Sequence, residues 1–362
     1  MVIGIDARAA TEEPAGRGRV ARELLGALAA RDDHHRYLLY ARTPWDGAVL
    51  DDRFAWRHIG GGDPWWHVRV ARSASRRCEV FLALDTYLIA PLLRGAAGVT
   101  FVHDVLAFDP LVATNRRSTL IERLTLGPAV RRSDRLVCTT HATADALLGR
   151  FSRADGKLDV VPLAPSPAVP DPIGLPKLPE RFVLAVGTLE PRKNLPRLAA
   201  AYAGLPPALQ ADHPLVVAGR RGWETDETER ALTALGDRCV RLGYVSDGAL
   251  AELYRRCTVF CYPSLGEGFG LPVLEAQHAG APTITSNRSS LPEVADDAAV
   301  LVDPTSTAAI AAALRGLLED RDWRERLARA GPPHAAAFSW ERTAAGLLSV
   351  LARAAGASAP TA

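Results

Sequence analysis

The sequence predicts an α/β protein built from two doubly wound, Rossmann-like domains, and three observations lead there. Short apolar runs alternate with stretches of helical period from the first residues onward. A proline-dense segment, VPLAPSPAVPDPIGLPKLP, interrupts the pattern between residues 161 and 179, and the same alternation then restarts. Strand followed by helix, repeated, argues a parallel sheet covered by helices on both faces. Prolines at such density cannot occupy a sheet or helix interior, so the interruption reads as a linker. A chain of 362 residues has room for two domains of ordinary size.

Taken in order, VIGID (2–6) is an apolar run ending in Asp, the glycine-bearing AGRGR reads as a loop, and VARELLGALAAR has helical spacing. YLLYA, EVFLAL, VTFVHDV and DRLVCTT are the next strand-like runs, and ATADALLGRF follows as a helix. After the linker, FVLAVGT (182–188), PLVVAGR, VRLGYV and TVFCYPS are strands, and Asn194 is placed to cap a helix through LPRLAAAYAGL. SWERTAAGLLSVLARAA closes the chain as a helix. The expected boundaries are 1–163 for the first domain, 164–180 for the linker, 181–337 for the second domain and 338–362 for a terminal helix returning to the first. Ligands of such folds bind beyond the carboxyl ends of the strands, here in a cleft that both sheets would face.

Composition narrows the function. Roughly half the residues are apolar and about a quarter charged, as in a globular protein with a substantial core. A net charge of +2 gives no reason to expect nucleic acid, and the longest apolar stretch, DTYLIAPLLRGAAGVTFV, is broken by Arg94. Met1 runs directly into a strand, so a cytoplasmic protein without a leader is expected. The five cysteines are scattered; Cys257 and Cys261 are spaced to share a helix face but lack a second ligand pair, and buried thiols are the expectation. Lys+Arg total 43, of which only Lys157, Lys177 and Lys193 are lysines, so arginine clusters carry little information and a lysine beside a motif carries more.

Four segments leave predicted strands with polar groups. Gly16 and Gly18 in AGRGR fit either a plain loop or a phosphate contact. His103 and Asp104 leave the strand VTFV. Arg192 and Lys193 in VGTLEPRKNL sit just before a helix start, an arrangement suited to a diphosphate. In GEGFGLPVLE (266–275) two glycines and Pro272 mark a loop feeding a helix N-terminus, with Glu267 ahead of the turn and Glu275 within the helix. Such a terminus offers amides to an anion, and carboxylates there suit sugar hydroxyls better than an acid–base pair.

YPSLGEGFGLPVLEAQHAGAPTITSNRSSLPEVADDAAVLVDP, with VGTLEPRKNL, AGRRGW and LGYVSD, resembles the retaining nucleotide-sugar glycosyltransferases of family 4, and the likeness continues through GIDAR, FVHDV, RRSDRLVCTTHATADAL and FSWERTA. The resemblance covers nearly the whole chain and implies the two-domain GT-B fold. It implies that Lys193 and Arg192 hold the donor diphosphate, that Glu275 binds the ribose, and that Glu267 with the amides of Gly268, Phe269, Gly270 and Leu271 holds the donor sugar and distal phosphate. His103 matches the family histidine near sugar and acceptor, Gly16 (with Gly18) the glycine loop under the phosphates, and Tyr244 and Val245 the contacts to the base. Thr188 stands where many relatives carry arginine, and GRGRV departs from a first loop closer to GIGRY.

The expected reaction is transfer of a sugar, mannose from GDP-mannose first, to a lipid-linked or polysaccharide acceptor, with retention and with no metal or cofactor. Lys193, Arg192 and helix amides would neutralise the diphosphate, with His103, Lys193 and Glu267 as the catalytic set. UDP- or dTDP-sugars with a small-molecule acceptor, a sugar-nucleotide 2-epimerase and a silent sugar-nucleotide-binding regulator remain open. So does peripheral contact with the inner face of the plasma membrane, for which Trp65 and Trp66 beside Arg69, Arg72 and Arg76 are the candidate patch.

Overall fold

The computed structural model describes residues 1–13, 16–45, 50–112, 115–166 and 168–356; Ala15 of the first glycine loop, Pro167 of the linker and residues 357–362 of the tail lie outside them. The chain divides into two compact units, one of residues 1–107, 117–163 and the tail from Ser339, the other of residues 108–116 and 164–338.

The N-terminal unit is built on seven strands: β1 (Val2–Asp6), β2 (Arg36–Ala41), β3 (Phe54–His58), β4 (Val80–Ala83), β5 (Ala97–Val102), β6 (Arg135–Cys138) and β7 (Leu158–Val160). All are parallel, in the order β3-β2-β1-β4-β5-β6-β7. Strands β1, β2, β4 and β5 are buried almost throughout, as expected of a parallel sheet covered on both faces. The tail helix Trp340–Ala354, opened by Ser339 accepting from the Arg342 amide, packs against helix Arg17–Ala29 and strands β4, β5 and β6 of this unit.

Two expectations need correction here. The helix after the first glycine loop begins at Arg17 rather than beyond it, so Gly18 is a helical residue. A side chain at Gly18 would put its Cβ 1.8 Å from the Glu13 carbonyl, which gives this glycine a packing reason. Of the Trp65/Trp66 patch, only Trp66 leaves the surface: it is fully buried under the guanidinium groups of Arg8 and Arg42, while Trp65 is 67% exposed and Arg69, Arg72 and Arg76 are exposed, Arg69 turned to the Gly60 carbonyl.

The C-terminal unit has six parallel strands, β8 (Val183–Val186), β9 (Leu215–Ala218), β10 (Cys239–Gly243), β11 (Val259–Tyr262), β12 (Thr283–Ser286) and β13 (Val300–Val302), in the order β10-β9-β8-β11-β12-β13. Two apolar clusters sandwich the sheet, one through Leu198, Tyr202 and Leu314, the other through Phe182, Tyr254 and Phe260. Cys257 ends a helix while Cys261 lies inside β11, so they share no helix face; both are free and buried, and burial pushes each thiol up. No helix among the described residues is long and apolar enough to cross a membrane.

Candidate functional site

Reversal of the chain path between β8 and β11 makes their carboxyl ends the switch point of the C-terminal sheet, where ligands of open α/β folds bind. Both strands deliver charge there. After β8 the chain reaches a single 3₁₀ turn, Pro191–Lys193, closed by Asn194 at φ 60°. Asn194 does not cap the following helix with its side chain, contrary to expectation. Pro196, the second helical residue, has no N–H to offer, and the Asn194 amide instead donates to the carbonyls of Pro263 at 2.9 Å and Pro304 at 2.7 Å. That bond fastens the Arg192–Lys193 turn to the loop leaving β11.

In that loop Glu267 is the hub. One carboxylate oxygen accepts from Lys193 Nζ at 2.8 Å, Tyr262 Oη at 2.8 Å and Ser264 Oγ at 2.6 Å; the other pairs with the Arg192 guanidinium. Lys193 also donates to Tyr262 Oη, and Arg192 reaches Glu190 at 2.5 Å. The backbone is held as firmly. The Glu267 amide donates to Ser289 Oγ at 2.9 Å, and Ser290 Oγ lies 2.9 and 2.8 Å from the carbonyls of Glu267 and Phe269.

Glu267 is buried among these partners, and the Lys193 side chain is only 10% exposed. Burial by itself would raise the Glu267 carboxyl, but the neighbouring Arg192 and Lys193 charges, with hydrogen bonds from Lys193 and Ser264, hold it down at about 2. Lys193 shifts the other way: burial and the adjacent Arg192 push it below the usual lysine range, against the pull of Glu267 and Glu190. The asymmetry has a simple cause, since one carboxylate faces two cations whereas each cation also faces the other.

The turn that follows is glycine-dependent. Gly270 sits at φ 112° immediately before helix Leu271–His278, and a Cβ there would stand 2.6 Å from Leu291 Cδ2. Pro272 falls in the first turn as its missing N–H allows. Phe269 is buried edge-to-face against Phe338, so what its position offers a ligand is backbone, together with that of Gly268 and Leu271. Glu275 is one turn into the helix, buried, with Tyr254 Oη 3.3 Å from its carboxylate. Thr188 is half-buried in the loop after β8, and Tyr244 and Val245 follow β10, two strands away or about 10 Å along the same edge. Tyr244 is 66% exposed there.

The N-terminal unit gathers its own charges at the corresponding edge. Asp6 ends β1, Asp85 lies two residues past β4, and His103 follows β5; in the sheet these strands are neighbours. Asp85 accepts from Arg17 at 3.1 Å and pairs with Arg8 at 3.5 Å. His103 Nε2 is 2.9 Å from the Leu84 carbonyl. A carbonyl only accepts, so Nε2 carries the proton and Nδ1 keeps its lone pair. Burial and the nearby Arg17 lower the His103 pKa, which keeps the ring neutral. Asp6 is fully buried and pushed up to about 7 by that burial and by Asp85, and Glu122 is pushed up to about 8 by burial and Asp104. Gly16 adopts φ 58° at the start of helix Arg17–Ala29 beside this cluster. Among the described residues no group of three or more His, Cys, Asp or Glu side chains has metal-binding geometry.

Comparison with known proteins decides the family. The description "Glycosyl transferases group 1" matches residues 172–333. D-inositol 3-phosphate glycosyltransferase of Acidothermus cellulolyticus is 30% identical over 317 residues, covering 82% of this chain and 67% of the relative. The chain belongs to the group 1 glycosyl transferases. O-antigen chain mannosyltransferase B of Escherichia coli is more similar locally, 41% identical over 189 residues, and this alignment spans 51% of the present chain and about half, 49%, of that protein's length. Sucrose-phosphate synthase from Thermosynechococcus elongatus superposes with a TM-score of 0.76 at 20% identity, covering 96% and 97% of the two chains, and places the fold in the GT-B class.

Within this glycosyl transferase the structure brings Arg192, Lys193 and Glu267 into direct contact and sets Gly268, Phe269, Gly270, Leu271 and Glu275 on the loop and helix that follow. His103, Gly16 and Gly18 lie in the other unit. Sequence reasoning missed Tyr262, Ser264, Glu190 and Ser290, which complete the Glu267 network, and Asp6 and Asp85, which flank the N-terminal switch point. The one available signal was positional: Asp6 and Asp85 leave strand-like runs just as His103 does.

Proposed function

We propose that this glycosyl transferase moves a sugar, mannose from GDP-mannose in the first instance, to a glycan or lipid-linked acceptor in cell-surface glycan synthesis, with retention of configuration and without a metal. One observation carries the reading: a buried glutamate holds a lysine and an arginine in fixed positions at the sheet's switch point, within the loop that opens a helix N-terminus. Similarity to O-antigen chain mannosyltransferase B supports mannose as the sugar.

In this mechanism the bond between the anomeric carbon and the diphosphate oxygen breaks as the acceptor oxygen approaches the same face. The acceptor proton passes to the departing diphosphate, and no side chain acts as nucleophile. Lys193 and Arg192 stabilise the charge developing on the leaving group, with the amides of Gly268 to Leu271 beside them. Of the three ammonium protons of Lys193, Tyr262 and Glu267 take two, and the third is assigned to the diphosphate. Glu267 fixes both cations and accepts from the sugar hydroxyls, Glu275 accepts from the ribose, and Thr188, Tyr244 and Val245 border the nucleotide. His103, with Nδ1 unprotonated, accepts from a hydroxyl, and Gly16 and Gly18 belong to the same donor set.

Similarity to D-inositol 3-phosphate glycosyltransferases over most of the chain supports a small-molecule acceptor, and hence a second reading in which such an acceptor is paired with a UDP- or dTDP-sugar donor. A thermal-shift screen over GDP-, UDP-, dTDP- and ADP-sugars separates them. The true donor at a hundred times its dissociation constant adds about 2.7 kcal/mol of stability. Stabilisation without sugar release to any acceptor or to water would favour a silent binder, and no response to any sugar nucleotide would overturn both readings.

A further inference from the structure

Helix Arg116–Arg132, which belongs to the N-terminal unit from Arg117 onward, carries the densest group of exposed large apolar side chains among the described residues. Leu120 is 60%, Ile121 48% and Leu124 65% exposed. At 100° per residue these three share one outer stripe with Arg117 one turn before them and Pro128 and Arg131 one and two turns after, with Arg132 at its margin. Leu126, Ala129 and Val130 occupy the opposite, buried face. Glu122, the helix's one acidic residue, turns to that inner side, where one carboxylate oxygen is fully buried, and Arg123 is directed to the Ala107 carbonyl. The outer stripe is thus apolar at its centre, cationic at both ends, and carries no acidic residue.

Charge decides which occupant fits. A second copy packed antiparallel on this stripe would set Arg117 against Arg131, a like-charge contact that opposes association. An anionic lipid surface matches the stripe throughout: the leucines and isoleucine enter the boundary between headgroups and acyl chains while the arginines reach headgroup phosphates. We propose that helix Arg116–Arg132 docks this protein on anionic membrane. The inference fits a lipid-linked acceptor but stands independently of donor and reaction.

Vesicle flotation tests it, with phosphatidylglycerol/phosphatidylcholine vesicles against phosphatidylcholine alone, at low and high salt. The full chain is expected to float with the anionic vesicles only and to be released by salt. The triple variant Leu120→Ser/Ile121→Ser/Leu124→Ser should lose at least about tenfold in partitioning. Arg131→Glu/Arg132→Glu should lose binding to anionic vesicles as well. A control variant, Leu92→Ser/Leu148→Ser, which alters exposed leucines elsewhere in the unit, should bind normally. Circular dichroism and melting of each variant confirm that the fold is kept. Failure of the wild type to float, flotation unaffected by the triple substitution, or a wild-type dimer that the triple substitution dissolves would each overturn the proposal, the last by assigning the stripe to a second copy.

Discussion

Replacing Glu267 with glutamine keeps the shape of the hub and removes its charge. In the wild type that carboxylate answers both Lys193 and Arg192 in a buried setting, and its carboxyl sits at about 2 against an ordinary value near 4.5. A shift of that size corresponds to about 3 kcal/mol of stability at neutral pH. This agrees with the cost of about 3–5 kcal/mol expected when a buried pair loses one partner. The sign follows from the direction of the shift. The unfolded chain takes up its proton first, so the contribution is complete above pH 4.5 and is lost as pH falls towards 2. Glutamine has no proton to take up, and the gap between the proteins should therefore close over that interval. Differential scanning calorimetry from pH 7 down to about 3 reads this directly: at pH 7 the transition of the C-terminal unit should fall by roughly 6–12 °C, with a smaller difference at the acid end. Equal melting temperatures at pH 7, or a difference independent of pH, would show that Glu267 is not the electrostatic centre of this loop.

Lys193→Ala should lower kcat at saturating donor by about 100-fold or more in a sugar-transfer assay, and near-normal turnover would remove Lys193 from the proposed role. Asp6→Asn should change the pH response of the N-terminal unit. Because burial raises Asp6 to about 7, the folded chain holds a proton that the unfolded chain releases, so wild-type stability falls as pH rises through the interval from about 4 to 7. The asparagine variant should lack that decline in urea unfolding, and parallel profiles would contradict it. Gly270→Ala places a Cβ 2.6 Å from Leu291 at a positive φ; a loss of about 1–3 kcal/mol in urea unfolding is expected, and an unchanged midpoint would mean that the turn relaxes freely.

Much of this molecule was legible along the chain. Apolar runs of four to six residues separated by helical stretches announced parallel sheets, because burial on both faces leaves strands little choice but continuous hydrophobicity. Gly270 and Pro272 marked a helix start through backbone chemistry that depends on those residues alone. Ser339 opened the terminal helix for the same local reason. The same local reasoning misplaced the first helix boundary, because the cause of Gly18 is a carbonyl five residues earlier that approaches only once the chain has folded. It misjudged Trp66 for a similar reason: tryptophan beside arginine looks alike on a surface and under a stacked guanidinium.

The composition of the charged centres was decided elsewhere. Glu267 meets Lys193 and Arg192 across 74 and 75 residues because β8 and β11 lie side by side, and that adjacency comes from the crossover of the chain. Asp6, Asp85 and His103 are likewise collected by the order β1-β4-β5. The sequence by itself determined which segments become strands and helices and where glycine and proline punctuate them, since those outcomes rest on interactions within a few residues. Only the tertiary structure decided which carboxylate answers which cation, because burial and distance, the two quantities that set electrostatic energy, exist only after the sheets have assembled.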